Sequence, residues 1–261
     1  MVTILPDNLT EDQLEHFPAF NNWCDTLRRS LYEQSTIEDH PFHEWPFTLK
    51  SITVESVDFF GDRIGFLKMK AEIQNENGQK LPGICFLRGG SVAVLMILTP
   101  RDAIDERWVI MTTQPRVPAG SLTFVEIPAG MLDYHRGTFA GKAAEEIEEE
   151  TGLLIPTGEL RDLTQLALEG SEMQEHKQLK PAMYPSPGGC DEYIPLMLWE
   201  KEMDRQEIED LRGRLTGLRT QGELITLKLV PYEELWREGA RDAKTLGAWA
   251  LYEGLRRAGK L

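Results

Sequence analysis

Five glutamates lie within six residues in the middle of the chain. They are Glu145, Glu146, Glu148, Glu149 and Glu150. The residues around them, 139–151, predict a helix that ends at Gly152. Because a helix advances about 100° per residue, Glu146 and Glu150 share one face, and Glu149 flanks them.

This acidic helix has two interpretations. Like charges three or four residues apart repel and weaken a helix by a few tenths of a kcal/mol per pair. A divalent cation would relieve that repulsion, since hard cations such as Mg²⁺ choose carboxylate oxygens. The alternative is a solvated acidic face, which is the usual meaning of a charge run. The run alone favours the solvated face, but the residues before it favour the cation.

The segment 127–153 resembles the Nudix box, a loop–helix–loop written G-x5-E-x7-R-E-U-x-E-E-x-G-U, in which U is apolar. Gly130 matches the first glycine of that motif. The second half of the motif is matched by Glu146, Ile147, Glu149, Glu150, Gly152 and Leu153. The resemblance implies a Nudix hydrolase, whose helix carboxylates hold metal ions for phosphate chemistry.

Three departures from the motif are visible. Glu145 stands where the box has arginine, and the loop after Gly130 is one residue longer. No glutamate occupies the first-glutamate position, where Arg136 or Gly137 falls. Either Lys142, one turn earlier, supplies the missing positive charge, or Glu145 itself binds metal.

Three further segments are similar to the ADP-sugar-cleaving members of that family. Gln114-Pro115-Arg116 resembles their glutamine–x–arginine at a strand end, and Glu126 precedes the Ile-Pro-Ala-Gly turn as it does in that group. Residues 184–192, YPSPGGCDE, resemble their SPG-containing loop. The resemblance runs from about residue 109 to the C-terminus and is greatest to the plant-type ADP-sugar diphosphatases.

The resemblance implies a metal site made by Glu146, Glu149 and Glu150, with the carbonyl of Ala129 as a further ligand. Gly130 would let the backbone approach closely, because it lacks a β-carbon. The expected ion is Mg²⁺, with Mn²⁺ as an alternative. Such ions neutralise phosphate charge and lower the pKa of bound water.

Substrate contacts are expected from Arg116, Glu126 and Glu192. Arg116 would bind a phosphate by charge-assisted hydrogen bonds, or it is an ordinary surface arginine. Glu126 would contact the nucleoside or a metal, and as an acid in an apolar strand it needs a partner in either case. Glu192 would bind substrate or support its loop.

Catalytic roles are expected for Glu223 and Glu149. In this family the general base often comes from a loop after the box, and Glu223 follows the loop 216–222. A glutamate there could reach bound water once substrate closes the site. The alternative is a solvated acid at the start of a strand.

These residues together predict metal-dependent hydrolysis of an ADP-sugar, ADP-ribose or ADP-glucose, to AMP and a sugar phosphate. The alternative, motivated by Glu145 and the missing first glutamate, is a catalytically weak or inactive nucleotide-binding or scaffold protein on a Nudix fold. The sequence does not distinguish ribose from glucose.

Composition restricts the partners. The 261 residues carry a net charge of −15, and the pI is near 4.8, which argues against a nucleic-acid partner. Three cysteines without paired spacing favour a reducing compartment, and with no recognisable signal peptide we expect a cytoplasmic protein. The longest apolar run, 92–98, is far below the roughly 20 residues of a membrane span.

The pattern of elements predicts an α/β protein, a Nudix-type α/β/α sandwich with a mixed sheet, in three parts. These are a helical extension over 1–45, a small antiparallel β segment over 46–88, and a Nudix domain over 89–261. The β segment is too small to stand alone, and similar enzymes pair subunits through it, so a homodimer is expected.

Hydrophobic periodicity predicts the individual elements. In the Nudix domain, strands are expected at 91–98, 108–114, 122–127, 193–199 and 224–230, and helices at 139–151, 204–215, 232–238 and 242–257. Residues 160–168 read equally as strand or helix. Residues 170–182 predict a polar loop.

Overall fold

The computed structural model divides into two compact units. It describes residues 2–132, 138–170, 178–217 and 224–261. Among the described residues, the first unit holds 2–90, 178–180 and 186–193, and the second holds the remainder. The division of the chain at residues 45 and 88 stays a prediction.

A mainly antiparallel sheet forms the body of the first unit. Strand β1 (Val2–Ile4) runs parallel to β2 (Thr48–Phe60), which forms a long hairpin with β3 (Arg63–Gln74). Strands β4 (Lys80–Leu81) and β5 (Ile84–Leu87) both pair with β3. Pro82 lies between β4 and β5, and it cannot donate to the ladder.

Two helices cover one face of this sheet. Helix α1 (Glu11–Glu15) begins with a capping box of Thr10 and Gln13, and α2 (Pro18–Thr36) follows. The apolar side chains of α2 pack on buried residues of β2 and β3. Together they form a hydrophobic core of the first unit. Residues 2–4, expected within a helical region, instead pair as a strand, as β-branched residues favour.

A mixed sheet forms the body of the second unit. Its strands are β6 (Ser91–Pro100), β7 (Trp108–Arg116), β8 (Ser121–Glu126), β9 (Ala129–Met131), β10 (Arg161–Asp162), β11 (Leu196–Met203), β12 (Leu215–Thr216) and β13 (Ile225–Pro231). The main strand order is β10-β11-β6-β7-β13-β12, and β11 is parallel to β6. The predicted α/β class with a mixed sheet is confirmed.

Helices flank this sheet. They are α3 (Phe139–Thr151), α4 (Leu163–Leu168), α5 (Arg205–Glu209), α6 (Leu235–Glu238) and α7 (Ala243–Arg257). The ambiguous stretch 160–168 is a two-residue strand followed by α4. The helix predicted over 204–215 was wrong in length: Gly213 adopts a left-handed φ of 71°, and the chain then pairs as β12.

Strand β6 lies at the centre of the second unit. All but one of its ten residues are buried. Ala93, Leu95 and Ile97 pack in a core with Ala248 and Tyr252 of α7. Side chains alternate along a strand, so the buried residues between them face the opposite side. Burying each large apolar side chain contributes about 1.5–3 kcal/mol.

The sheet opens between β6 and β7. These strands pair at Ile97↔Val109 and Leu98↔Trp108. Beyond that point, β6 pairs with β9 and β7 pairs with β8. The corner between β8 and β9 therefore lies between the two central strands, and it carries Glu126 and Ala129, two of the residues expected to bind substrate or metal.

Candidate active site

Helix α3 presents its carboxylates as its periodicity predicts. It begins at the cap Thr138, whose hydroxyl accepts a hydrogen bond from the Gly141 amide at 3.2 Å, and it ends at Gly152, with φ of 72°. Glu150 is buried and Glu146 is partly buried, whereas the other glutamates of the cluster are exposed. The helix therefore directs two carboxylates toward the protein.

Glu150 joins the two sides of the sheet opening. Its Oε2 accepts a hydrogen bond from the Ala129 amide of β9 at 3.0 Å, and its Oε1 accepts one from the Gln114 amide group of β7 at 3.3 Å. Only 6% of the residue is exposed. Among the described residues no cationic side chain lies within ion-pair distance of this carboxylate.

The environment of Glu150 favours its neutral form. Burial, together with the nearby carboxylates of Glu126 and Glu146, raises its pKa to about 8, against the hydrogen bonds from Ala129 and Gln114. The ionised form of this carboxyl lacks a cationic partner among the described residues, so a metal cation could bind it. A bound cation would favour the ionised carboxylate.

Glu146 lies against Gly130 of β9. A β-carbon built on Gly130 would overlap the Glu146 carboxylate, so glycine is required for this approach. Lys142 reaches Glu146 at 3.0 Å and Glu145 at 3.4 Å, with 16% of its side chain exposed. Of the two alternatives for the missing box arginine, the structure supports a positive charge from Lys142. The Glu145 side chain is 64% exposed.

Glu126 and Arg116 form an ion pair at the ends of β8 and β7. Arg116 Nε lies 2.6 Å from Glu126 Oε1, and the Glu126 side chain is 2% exposed. The second oxygen of Glu126 accepts a hydrogen bond from the ammonium of Lys244. Glu126 was expected to need a partner, and it has two: one cationic side chain binds each of its oxygens.

Sequence reasoning missed Lys244, which lies in the first turn of α7. Its Nζ also bonds Asp242 at 2.9 Å, and Asp242 caps the helix by accepting from the Thr245 amide at 3.1 Å. Thr245 Oγ1 accepts a hydrogen bond from the Ile127 amide. The aspartate cap was a visible signal for the helix start, but nothing local indicates that Lys244 reaches Glu126, 118 residues earlier.

Three predicted site residues remain, Glu149, Glu192 and Glu223. Glu149 is exposed on α3, and in the described part of the chain no hydrogen bond or ion pair joins its side chain to Glu146 or Glu150. Glu192 belongs to the first unit, where it pairs with Arg88 at 2.7 Å. Glu223 lies outside the described residues, as do Arg136 and Gly137.

The start of the loop that leads to Glu223 is held by α3. Thr216 Oγ1 donates to the Glu150 carbonyl at 2.5 Å, and the Gly217 amide donates to the Glu149 carbonyl at 3.3 Å. These carbonyls are in the last turn of the helix, where backbone acceptors lack helical partners. The loop therefore begins beside the acidic face.

The donor chemistry fits a magnesium-type ion. No three acidic, imidazole or thiol side chains converge within the described ranges. Mg²⁺ is commonly held by one or two carboxylates together with substrate phosphates rather than by a full protein cage. Glu146 and Glu150, with the nearby Ala129 carbonyl, supply oxygen donors of that kind, and buried Glu150 would gain a counter-charge.

Comparison with known proteins identifies the family of this chain. A scan of protein-family models gives no match. A solved structure described as an ADP compounds hydrolase is similar, with a TM-score of 0.48 and 15% identity, covering 82% of this chain and 99% of that chain. Nudix hydrolase 14, chloroplastic, from Arabidopsis thaliana is 42% identical over 241 residues, which are 92% of this chain and 71% of that protein.

At this identity and coverage the chain belongs to the Nudix hydrolase family, and it is an enzyme of that family. The family predicted from the segment 127–153 is confirmed. No helix in the described ranges is long and apolar enough to cross a membrane.

Proposed function

We propose that this enzyme hydrolyses the diphosphate bond of an ADP-sugar, ADP-ribose or ADP-glucose, to AMP and a sugar phosphate, with Mg²⁺ or Mn²⁺ as cofactor. One arrangement carries the proposal. The carboxylates of Glu126, Glu146 and Glu150 surround the corner at Ala129 and Gly130, and Arg116 adjoins them. Acids that can hold a cation thus lie beside a guanidinium that can bind a phosphate.

In this proposal Glu146, Glu150 and the Ala129 carbonyl hold the metal, and Glu149 serves as a ligand or in catalysis once metal and substrate are bound. A bound divalent cation would neutralise diphosphate charge and lower the pKa of a water molecule. Glu223 remains the proposed general base, and Glu192 a proposed substrate contact.

In this proposal Arg116 binds a phosphate of the substrate. Its side chain is 40% exposed and is held through Nε by Glu126. In the part of the chain that is described, its two terminal nitrogens make no hydrogen bond or ion pair. A guanidinium has five donors, so four remain for an anion. Charge-assisted pairs of this kind are about twice as strong as neutral ones.

The experiment is a substrate panel with separated products. Purified protein is incubated with ADP-ribose, ADP-glucose, UDP-glucose and a dinucleoside diphosphate, with Mg²⁺, Mn²⁺ or EDTA, and AMP is quantified by chromatography. We expect AMP from an ADP-sugar only with a divalent cation. Glu146→Gln should abolish it, whereas Glu148→Gln, an exposed neighbour on the same helix, should not.

Two results would contradict the proposal. Absence of AMP from every nucleoside diphosphate derivative would exclude it. Tight ADP-ribose binding without turnover would support the nucleotide-binding alternative that Glu145 and the missing first glutamate suggested.

We also propose a homodimer and a cytoplasmic or other reducing location. The three cysteines, Cys24, Cys85 and Cys190, are free thiols in the structure, as a reducing compartment favours. The Arabidopsis relative is named chloroplastic, so a fluorescent fusion of the native gene product is the direct measurement of location.

A further inference from the structure

The buried carboxylate of Glu126 divides its two oxygens between two cations. Oε1 binds Arg116 Nε at 2.6 Å, and Oε2 binds Lys244 Nζ. With 2% of the Glu126 side chain exposed, water cannot replace either donor. Removing one donor would leave a buried oxygen without a partner, which is costly.

Lys244 is itself held in place. Only 12% of its side chain is exposed, and its ammonium also pairs with Asp242 at 2.9 Å. Thr245, the next residue, accepts from the amide of Ile127, which follows Glu126. The first turn of α7 is therefore bonded to the end of β8 at two points, by a charge and by a hydroxyl.

This arrangement determines how Arg116 can use its guanidinium. A carboxylate with both oxygens available is usually bound by arginine in a bidentate manner, through two nitrogens. Here Lys244 occupies the second oxygen, so Arg116 is bound through Nε alone. The terminal nitrogens stay available.

We propose that Lys244 is a positioning residue, which keeps the terminal nitrogens of Arg116 available for a substrate phosphate by occupying the second oxygen of Glu126. The role of Arg116 toward phosphate rests on the proposed function. The arrangement of Lys244, Glu126 and Arg116 does not depend on it.

Without Lys244, Arg116 would turn to bind both oxygens of Glu126, and one terminal nitrogen would be lost to the phosphate. Loss of one charge-assisted bond predicts about tenfold weaker binding of ADP and an equal rise in KM, with kcat nearly unchanged. Lys244→Arg should restore binding, because it retains the charge.

The decisive experiment is a double-mutant cycle on ADP binding, measured by calorimetry in EDTA so that no turnover contributes. The variants are Lys244→Met, Arg116→Met and the double mutant. If Lys244 acts through Arg116, the double mutant binds ADP no more weakly than Arg116→Met alone. Additive losses, or unchanged binding in Lys244→Met, would overturn the proposal.

A matched control separates this effect from the loss of any lysine–glutamate pair. Lys228 pairs with Glu238 at 2.6 Å in the same unit, 41% exposed. Lys228→Met should leave ADP binding unchanged. If Lys244→Met does not fold, Lys244→Gln is tested instead: its amide group still donates to the second oxygen of Glu126, so most of the ADP affinity should be retained. A loss as large as that of Arg116→Met would overturn the proposal.

A second readout needs no ligand. The Nε–H signal of Arg116 in a proton–nitrogen NMR spectrum, assigned by its loss in Arg116→Met, reports its bond to Glu126. We expect it unchanged in Lys244→Arg and in Lys228→Met, and shifted in Lys244→Met. No shift would refute the positioning role. If the enzyme cleaves no ADP compound but the signal shifts, the proposed function fails while the role of Lys244 in holding Arg116 stands.

Discussion

At the scale of single residues, the protonation of Glu150 is linked to the stability of the metal-free fold. Its pKa is raised to about 8 by burial from an ordinary value of 4.5. Below pH 4.5 the carboxyl is neutral in both folded and unfolded chains. Between pH 4.5 and 8 only the unfolded chain releases the proton, so the free energy of unfolding falls as pH rises.

We therefore expect Glu150→Gln to remove this pH dependence. In EDTA, the stability difference between mutant and wild type should grow in favour of the mutant from pH 5 to pH 8, by up to about 4 kcal/mol. Denaturant unfolding at several pH values measures it. The mutant should keep its fold, lose activity and bind Mg²⁺ more weakly.

Glu148→Gln is the control for this prediction, because Glu148 is exposed on the same helix. It should retain the pH dependence of the wild type. If the unfolding free energies of Glu150→Gln and wild type changed in parallel with pH, the ionisation of Glu150 would not be the cause of the pH dependence. Full turnover of Glu150→Gln at low Mg²⁺ would show that it is not a metal ligand.

At the scale of elements, helix α3 and strand β9 fit together through Gly130. A β-carbon there would meet the carboxylate end of Glu146, which is flexible and can move aside. We expect Gly130→Ala to keep the melting temperature within a few degrees of wild type but to raise the Mg²⁺ concentration for half-maximal rate about tenfold or more, because one ligand is displaced.

Gly158→Ala is the matched control for Gly130→Ala. Gly158 lies in a short turn with no atom within 4 Å of an added β-carbon. Its Mg²⁺ dependence should equal that of wild type. An unchanged Mg²⁺ requirement in Gly130→Ala would mean that the position of Glu146 against β9 does not matter for metal binding.

At the scale of the whole molecule, the first unit carries an exposed aromatic face that suits the proposed homodimer. Phe60 and Phe66 stack edge to face at 5.1 Å, and Phe86 lies 5.4 Å from Phe66. Phe60, Ile84 and Phe86 are 48%, 62% and 40% exposed. Exposed apolar patches of this kind mark interaction sites.

The dimer prediction has a simple measurement. Light scattering at micromolar concentration should return twice the chain mass of 29.7 kDa. Ile84→Lys combined with Phe86→Lys should return the monomer mass without unfolding the protein, because both residues are exposed. Tyr32→Lys, at an exposed position on α2, is the control and should leave the mass unchanged. A monomer mass for the wild type would refute the prediction.

The sequence by itself determined the features that depend on local periodicity. The bounds of α3, its face with Glu146 and Glu150, and the strand β6 all follow from residue types within a few positions. Backbone geometry sets these periods, whatever the rest of the chain does. The box residues also sufficed to identify the family.

Only the tertiary structure decided which distant residues meet. Gln114 and Ala129 reach Glu150 across 36 and 21 residues, and Lys244 reaches Glu126 across 118. Strand register and the packing of α7 against the sheet set these contacts. The local sequence pattern predicts neither of them. The sequence therefore predicted the acids of the site, whereas their partners and protonation required the fold, because burial and long-range pairing determine both.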